Sequence, residues 1–367
     1  MNNKIYVTAD FEGANPRSDG IARISDDHFV LSVFSETTIE SYRMETMIVN
    51  DSTEKQVLHI EINWPTKPFS ELRDCFYVKH EHTPDWITAP AETAPGKSFL
   101  SIAALPGKTY LCLHPRYGYA DCESFVSNLP YNGLISKELA GKSDKGRNIW
   151  IIKLSNGFES KEKLRFMISA RNHANESSGN YCVEGMIEWL LSNEPTVPYF
   201  LEKIDFFFMP MTNPDGVAEG MARFTGTRCA DLNRTDKWLR ENTPGALPDR
   251  SHEAFLNALD SVKPTHFVNL HSYLFKYEDE IHARSEQDIE SFTRFFPDDI
   301  NAGKRWKHVI VSQDSPFPGF CGKNQPETLS LLLEIPWFGR NAELMKETGR
   351  KILRALILMN TATYTAG

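Results

Sequence analysis

The chain is short of what several large protein classes require. Its six cysteines, Cys75, Cys112, Cys122, Cys182, Cys229 and Cys321, lie far apart, and no Cys-x-x-Cys occurs. That spacing argues against a thiolate zinc site and against a disulfide framework, so buried reduced thiols are expected. No run approaches the roughly 18 apolar residues that a membrane span needs. Basic residues are outnumbered, 40 Lys and Arg against 49 Asp and Glu, for a formal net charge of -9. A nucleic-acid surface would need a clustered basic face, and none is seen. The amino terminus, MNNKIYVTADFEG, has no basic segment followed by an apolar core. No secretory leader is expected, and cytoplasmic residence is the default. Internal repeats and low-complexity tracts are lacking too.

What remains is an ordinary globular composition, 41% hydrophobic and 24% charged, in 367 residues. That length favours two domains. Residues 1–118 read as all-β. Short runs such as Phe29–Phe34, Gln56–Ile62, Phe76–Val78, Phe99–Ile102 and Thr109–Leu113 recur between turn formers. Short strands at that spacing predict a β-sandwich. Glu12, Asn15 and Asp26 are scattered there and read as turn residues or a domain contact. His114–Gly133, rich in Tyr, Pro and Gly, reads as the crossover. From 119 to 367 apolar strands alternate with helical patterns: strands at Ile149–Leu154, Leu164–Ala170, Ile204–Met209, His266–Leu270, Val309–Val311 and Leu329–Ile335, and helices near 178–192, 252–262 and 342–359. The expected fold class is α/β, a mixed, largely parallel central sheet flanked by helices.

In such sheets ligands bind beyond the carboxyl ends of the strands. The polar residues found there form a short set. His173 and Glu176 follow the strand ending at Ala170; Asn213-Pro214-Asp215-Gly216 follows Met209; His271 follows Leu270; Glu334 follows Leu331-Leu332-Leu333. Singly these are weak: a buried His is more often core than ligand, and Asn-Pro-Asp-Gly alone is a turn. Together, two histidines and a carboxylate form a standard catalytic zinc set that leaves a position for water, and Glu334 is placed to take a proton from it.

The ordered set His173-x-x-Glu176, Asn213-Pro214-Asp215-Gly216, Asp231-x-Asn233-Arg234, His271 and Glu334 resembles that of the zinc metallocarboxypeptidases related to carboxypeptidase A, over about residues 119–367. The spacing from Asn213 through Gly220 and Arg223 to Arg234 is most similar to the cytosolic carboxypeptidase branch, which also carries an N-terminal β-sandwich. Phe11-Glu12-Gly13-Ala14-Asn15 and His114-Pro115-Arg116-Tyr117-Gly118-Tyr119 look like degenerate forms of its other motifs. The resemblance implies a carboxypeptidase-like, phosphorylase/hydrolase-type fold and one zinc ion per chain. It makes His173, Glu176 and His271 the ligands, with Asp231 hydrogen-bonded to the first histidine. Glu334 becomes the general base, Arg223 the oxyanion stabiliser, and Asn233 and Arg234 the clamp on a substrate's terminal carboxylate. The implied substrate is a peptide or protein C-terminus, with no nucleic-acid or membrane partner. Basic residues between 304 and 334 (Lys304, Arg305, Lys307, His308, Lys323) point to acidic C-terminal residues. Alternatives are a zinc amidase on cell-wall stem peptides or N-acyl amino acids, or a non-catalytic binding protein. The digestive enzymes' mobile tyrosine has no counterpart between Glu278 and Glu334, and Tyr273 and Tyr277 read as structural.

Overall fold

A computed structural model describes residues 5–36, 42–65, 75–157, 162–234, 249–272, 278–296, 306–311, 327–337 and 340–361. Strands come first: β1 (Ile5–Thr8), β2 (Ile21–Arg23), β3 (His28–Ser32), β4 (Glu45–Asn50), β5 (Gln56–Asn63), β6 (Cys75–His80), β7 (Ile87–Pro90), β8 (Glu92–Ala94), β9 (Lys97–Ala104) and β10 (Gly107–Cys112). They form two five-stranded sheets, β1-β4-β10-β6-β7 and β2-β3-β5-β9-β8. β9 shows why. Ser98, Leu100, Ile102 and Ala104 are buried while the residues between them are exposed, the period-2 signature of a sheet with one wet face. The inward residues of both sheets, among them Leu31, Ile48, Leu58, Ile60, Phe76 and Leu111, share one cluster. The structure thus has the two-sheet arrangement that the short runs predict.

After β10 the architecture changes. The elements are α1 (Tyr119–Asn128), β11 (Ile135–Lys142), β12 (Asn148–Leu154), β13 (Leu164–Ala170), α2 (Ser178–Leu190), α3 (Val197–Lys203), β14 (Ile204–Met209), α4 (Pro214–Ala218), α5 (Arg250–Val262), β15 (His266–His271), β16 (Glu280–Ala283), α6 (Glu286–Thr293), β17 (Lys307–Ile310), β18 (Leu329–Glu334) and α7 (Ala342–Thr361). One eight-stranded sheet runs β11-β12-β14-β13-β15-β18-β16-β17. Its centre, β14-β13-β15-β18, is parallel. The expectation of a largely parallel sheet is met only in part: four of seven pairings are parallel, and β11–β12, β12–β14 and β16–β18 are antiparallel. The connection from β11 to β12 is too short for the crossover that parallel neighbours require, so that pair must be a hairpin. The segment expected to be a crossover contains α1, whose N-terminal amides are met by Glu12 from the loop after β1.

The central strands are buried on both faces. Phe166, Ile168, Ala170, Phe206, Phe208, Val268, Leu270, Leu331 and Leu333 pack into a cluster with α2 and α7. Met167, Met209 and Phe267 point the other way, toward Phe255, Ala258 and Val262 of α5. This alternation sets the site. If Leu331 and Leu333 face α2 and α7, Glu334 faces the α5 side, and its register partner His271 faces there with it. Helices α2 and α7 cross closely. A Cβ at Gly185 would run into the Lys346 carbonyl, and one at Gly349 into that of Cys182. The five described cysteines are free thiols, and burial raises Cys182 to about 12; Cys321 lies outside the described residues.

Candidate metal centre

β13 delivers the chain to residues 171–177, a connection that turns sharply into α2. Arg171 adopts a φ of 66°, in the left-handed region, and is fully buried. Its guanidinium donates to the Ala174 carbonyl at 2.9 Å and to Asn180 Oδ1 at 2.7 Å, which clamps the loop around His173. His271 ends β15 on the neighbouring strand.

These elements bring three side chains to one point. His173 Nδ1 is 2.8 Å from Glu176 Oε1, and His271 Nδ1 is 2.8 Å from Glu176 Oε2. The two Nδ1 atoms are 3.2 Å apart. One ligand atom from each of the three buried residues lies within 4.8 Å of the others, and among the described residues no other such cluster of His, Cys, Asp and Glu exists. Two ring nitrogens facing each other cannot both carry protons without repulsion, whereas a cation accepts both lone pairs. Zn–N bonds of about 2.0–2.1 Å at a tetrahedral angle put the nitrogens roughly 3.3 Å apart. The donor types and their spacing therefore fit zinc.

Asp231 stands behind His173. Its Oδ1 lies 3.2 Å from His173 Nε2, and its Oδ2 accepts from Arg223 Nε at 2.9 Å. Asp231 Oδ1 also receives the Asn233 N–H at 2.9 Å, which folds the 231–234 turn back on itself. The site's electrostatics follow. Burial opposes charge on Glu176, yet the two histidines hold its carboxyl far below the usual carboxylate range. Burial likewise opposes charge on Asp231, and His173, Arg223 and Arg234 outweigh it. His173, buried and beside Arg223 but flanked by Glu176 and Asp231, sits above its ordinary pKa. Burial dominates at His271, which sits below.

Glu334 is the direct register partner of His271. In the same row Glu280 is the partner of Glu334, and Lys307 that of Glu280. Sequence reading did not single out Glu280: it opens a strand of only four residues, Glu280–Ala283, that begins on a charged residue and carries a histidine, so no apolar run marked a strand there. Lys307 Nζ binds Glu280 Oε1 at 2.9 Å, and His308 Nδ1 meets Glu286 Oε1 at 2.6 Å. Two of the basic residues expected in a side-chain pocket are thus engaged by carboxylates. Lys304, Arg305 and Lys323, with Tyr273 and Tyr277, lie outside the described residues.

Asn213 serves as N-cap of α4, accepting from Gly216 N at 3.0 Å, so Asn-Pro-Asp-Gly is a helix start and not only a turn. Asn233 Oδ1 accepts from Asn269 Nδ2 at 3.4 Å, another β15 residue that sequence reading passed over. Arg234 Nη1 donates to the Asn233 carbonyl at 2.8 Å.

Comparison with known proteins shows what this chain is similar to. Residues 123–274 match the sequence model of the zinc carboxypeptidases. Cytosolic carboxypeptidase 2 of Macaca fascicularis is 24% identical over 263 residues, 67% of this chain and 28% of that protein. The chain therefore spans little more than a quarter of that curated relative. In fold, it is similar to a metallo-carboxypeptidase of Burkholderia cenocepacia, with a TM-score of 0.80 and 18% identity, over 98% of this chain and 100% of that one. A Pseudomonas aeruginosa metallo-carboxypeptidase, solved with (2-guanidinoethylmercapto)succinic acid, has a TM-score of 0.79 at 15% identity, over 97% and 99% of the two chains. The fold is thus similar to that of metallo-carboxypeptidases. More particularly, residues 123–274 are similar to the zinc carboxypeptidase family, whose name carries the metal that the three ligand atoms fit.

Proposed function

We propose that this chain is a zinc-dependent carboxypeptidase that removes the C-terminal residue of a peptide or protein. The observation that carries the reading is the convergence of His173 Nδ1, the Glu176 carboxylate and His271 Nδ1, with Glu334 in register beside His271. His173, Glu176 and His271 would hold the ion. Bound there, zinc supplies a Lewis acid and acidifies water to a pKa of about 7. Asp231 holds His173 by its Nε2, which fixes the tautomer that leaves Nδ1 as a lone-pair donor. Glu334 accepts the proton of the attacking water and returns it to the leaving amine. Arg223 supplies positive charge where the carbonyl oxygen becomes an oxyanion, and Asp231 fixes its Nε edge. Asn233 and Arg234 bind the terminal carboxylate; an Arg there offers a planar fork that a Lys lacks.

Acidic C-terminal residues are the proposed preference. Lys307 and His308 are engaged by Glu280 and Glu286, so the preference falls to Lys304, Arg305 or Lys323. The first 118 residues form the proposed separate N-terminal domain, and cytoplasmic residence is proposed from the cytosolic relatives. The test is a panel of peptides differing only in the last residue, read by mass spectrometry. Loss of one terminal residue, fastest after Glu or Asp, is expected. Cleavage only of C-terminally blocked or N-acyl substrates would replace carboxypeptidase by amidase.

A further inference from the structure

Arg223 lies on an irregular segment, after α4 and outside any strand. That segment, with the end of α4 before it, is stitched to loops of the N-terminal region. Gly13 N donates to the Ala218 carbonyl at 2.9 Å, Arg43 Nη1 to the Val217 carbonyl at 2.8 Å, and Asn15 Nδ2 to the Gly220 carbonyl at 3.1 Å. At residues 222–224 the pattern changes from carbonyls to amides. Three consecutive backbone N–H groups converge on one carboxylate, that of Glu36: Ala222 N to Oε2 at 3.0 Å, and Arg223 N and Phe224 N to Oε1 at 2.5 and 3.0 Å. The carbonyls of the same three peptides are taken from the other side. Ala222 O accepts Asn175 N at 2.9 Å, and Arg223 O and Phe224 O accept Asn213 Nδ2 at 3.4 and 3.1 Å. Both edges of the Arg223 peptide are therefore fixed, one by residues of the metal-site loops and one by Glu36, 187 residues earlier in the chain.

Successive amides turned to one side make an anion-binding concavity, and each charge-assisted bond to a carboxylate is stronger than a neutral one. An amide side chain could not replace Glu36. Its NH₂ would face N–H donors, and at least one peptide would lose its acceptor.

We propose that Glu36 is a positioning residue for Arg223: a carboxylate from the loop after β3 that holds the peptide from which the guanidinium reaches Asp231 and the reacting carbonyl. The proposal rests on the reading of Arg223 given above. Its consequence is that the N-terminal region contributes a defined group to turnover, and not merely a wall beside the cleft.

The experiment compares Glu36→Gln and Glu36→Ala in the full chain, by amide hydrogen exchange at residues 222–224 and by steady-state kinetics. Each variant is also placed in an Arg223→Ala background, and Leu58→Val serves as a control that weakens only the sandwich core. Expected are at least tenfold faster exchange at 222–224, a kcat loss of about tenfold or more with zinc content retained, and no further kcat loss when Arg223 is already Ala. Leu58→Val should leave kcat unchanged. Unchanged exchange at 222–224 overturns the proposal, as does a Glu36 kcat penalty of full size in the Arg223→Ala background. If Arg223→Ala itself turns over like the wild type while Glu36→Gln still speeds exchange, the positioning contact stands and the role given to Arg223 falls.

Discussion

The two-sheet region and the eight-stranded sheet bury apolar surface by opposite means. In the first, strands such as β9 hide one face and wet the other in strict alternation, while β4 is buried throughout. In the second, β13, β15 and β18 are buried almost throughout, packed against α2 and α7 on one face, with Met167 of β13 and Phe267 of β15 against α5 on the other. A strand buried on both faces can admit a charged residue only where it ends or where a partner meets it. That is where His271 and Glu334 lie. In the first region the doubly buried β4 meets the same condition by pairing Glu45 with Arg43, and other charged residues serve as contacts across to the second. Glu12 Oε1 accepts the Tyr119 and Ala120 amides at the start of α1 at 2.7 and 3.3 Å, and Arg43 and Glu36 hold the arm that carries Arg223.

The sharpest break in this comparison should come from Glu334→Gln. The substitution keeps shape and packing but removes the base. The account expects bound zinc to remain and kcat to fall by roughly 10²–10⁴; wild-type turnover would remove Glu334 from the mechanism. Asp231→Asn comes next. Its effect is read in zinc affinity by competition with a chelator, which should weaken by about 10–100-fold. An unchanged affinity would reduce Asp231 to a partner of Arg223 alone.

The first region should behave differently. Leu58→Ala, in its fully buried core, is expected to lower stability by about 2–5 kcal/mol while leaving kcat of the folded protein intact; denaturant titration and kinetics on one preparation check both. The smallest effect concerns His266, at the far end of β15 from His271. Burial lowers its pKa to about 4 from 6.5. The unfolded chain then binds the extra proton first, so the neutral histidine's contribution is complete above pH 6.5 and is lost as pH falls from 6.5 toward 4. Between pH 7 and 5 this amounts to about 2 kcal/mol. Urea midpoints of wild type and His266→Gln should converge over that interval; parallel lines would contradict it.

What was legible in the sequence follows the same divide. Continuous apolar runs announced β13, β14, β15 and β18, and the polar residues after them announced the site, because in a doubly buried sheet those positions have no other use. The α1 helix was not legible. Its start is capped by Glu12, more than a hundred residues away, and the Tyr, Pro and Gly around it read as loop. β4, Glu45-Thr46-Met47-Ile48-Val49-Asn50, was missed for a related reason: it is buried throughout and opens on a glutamate whose partner Arg43 makes that burial tolerable. Glu36 was invisible because its function is to accept backbone amides, and a backbone amide has no letter in a sequence. Lys307 illustrates the converse: a basic residue taken for pocket chemistry meets a glutamate that the one-dimensional pattern did not place beside it.

The most direct test of the central claim is metal analysis of the purified wild type beside His271→Ala. About one zinc per chain in the wild type, falling to less than about a tenth in the variant, is the predicted result. A wild type that refuses zinc, or a His271→Ala protein that binds it as tightly, would contradict the site.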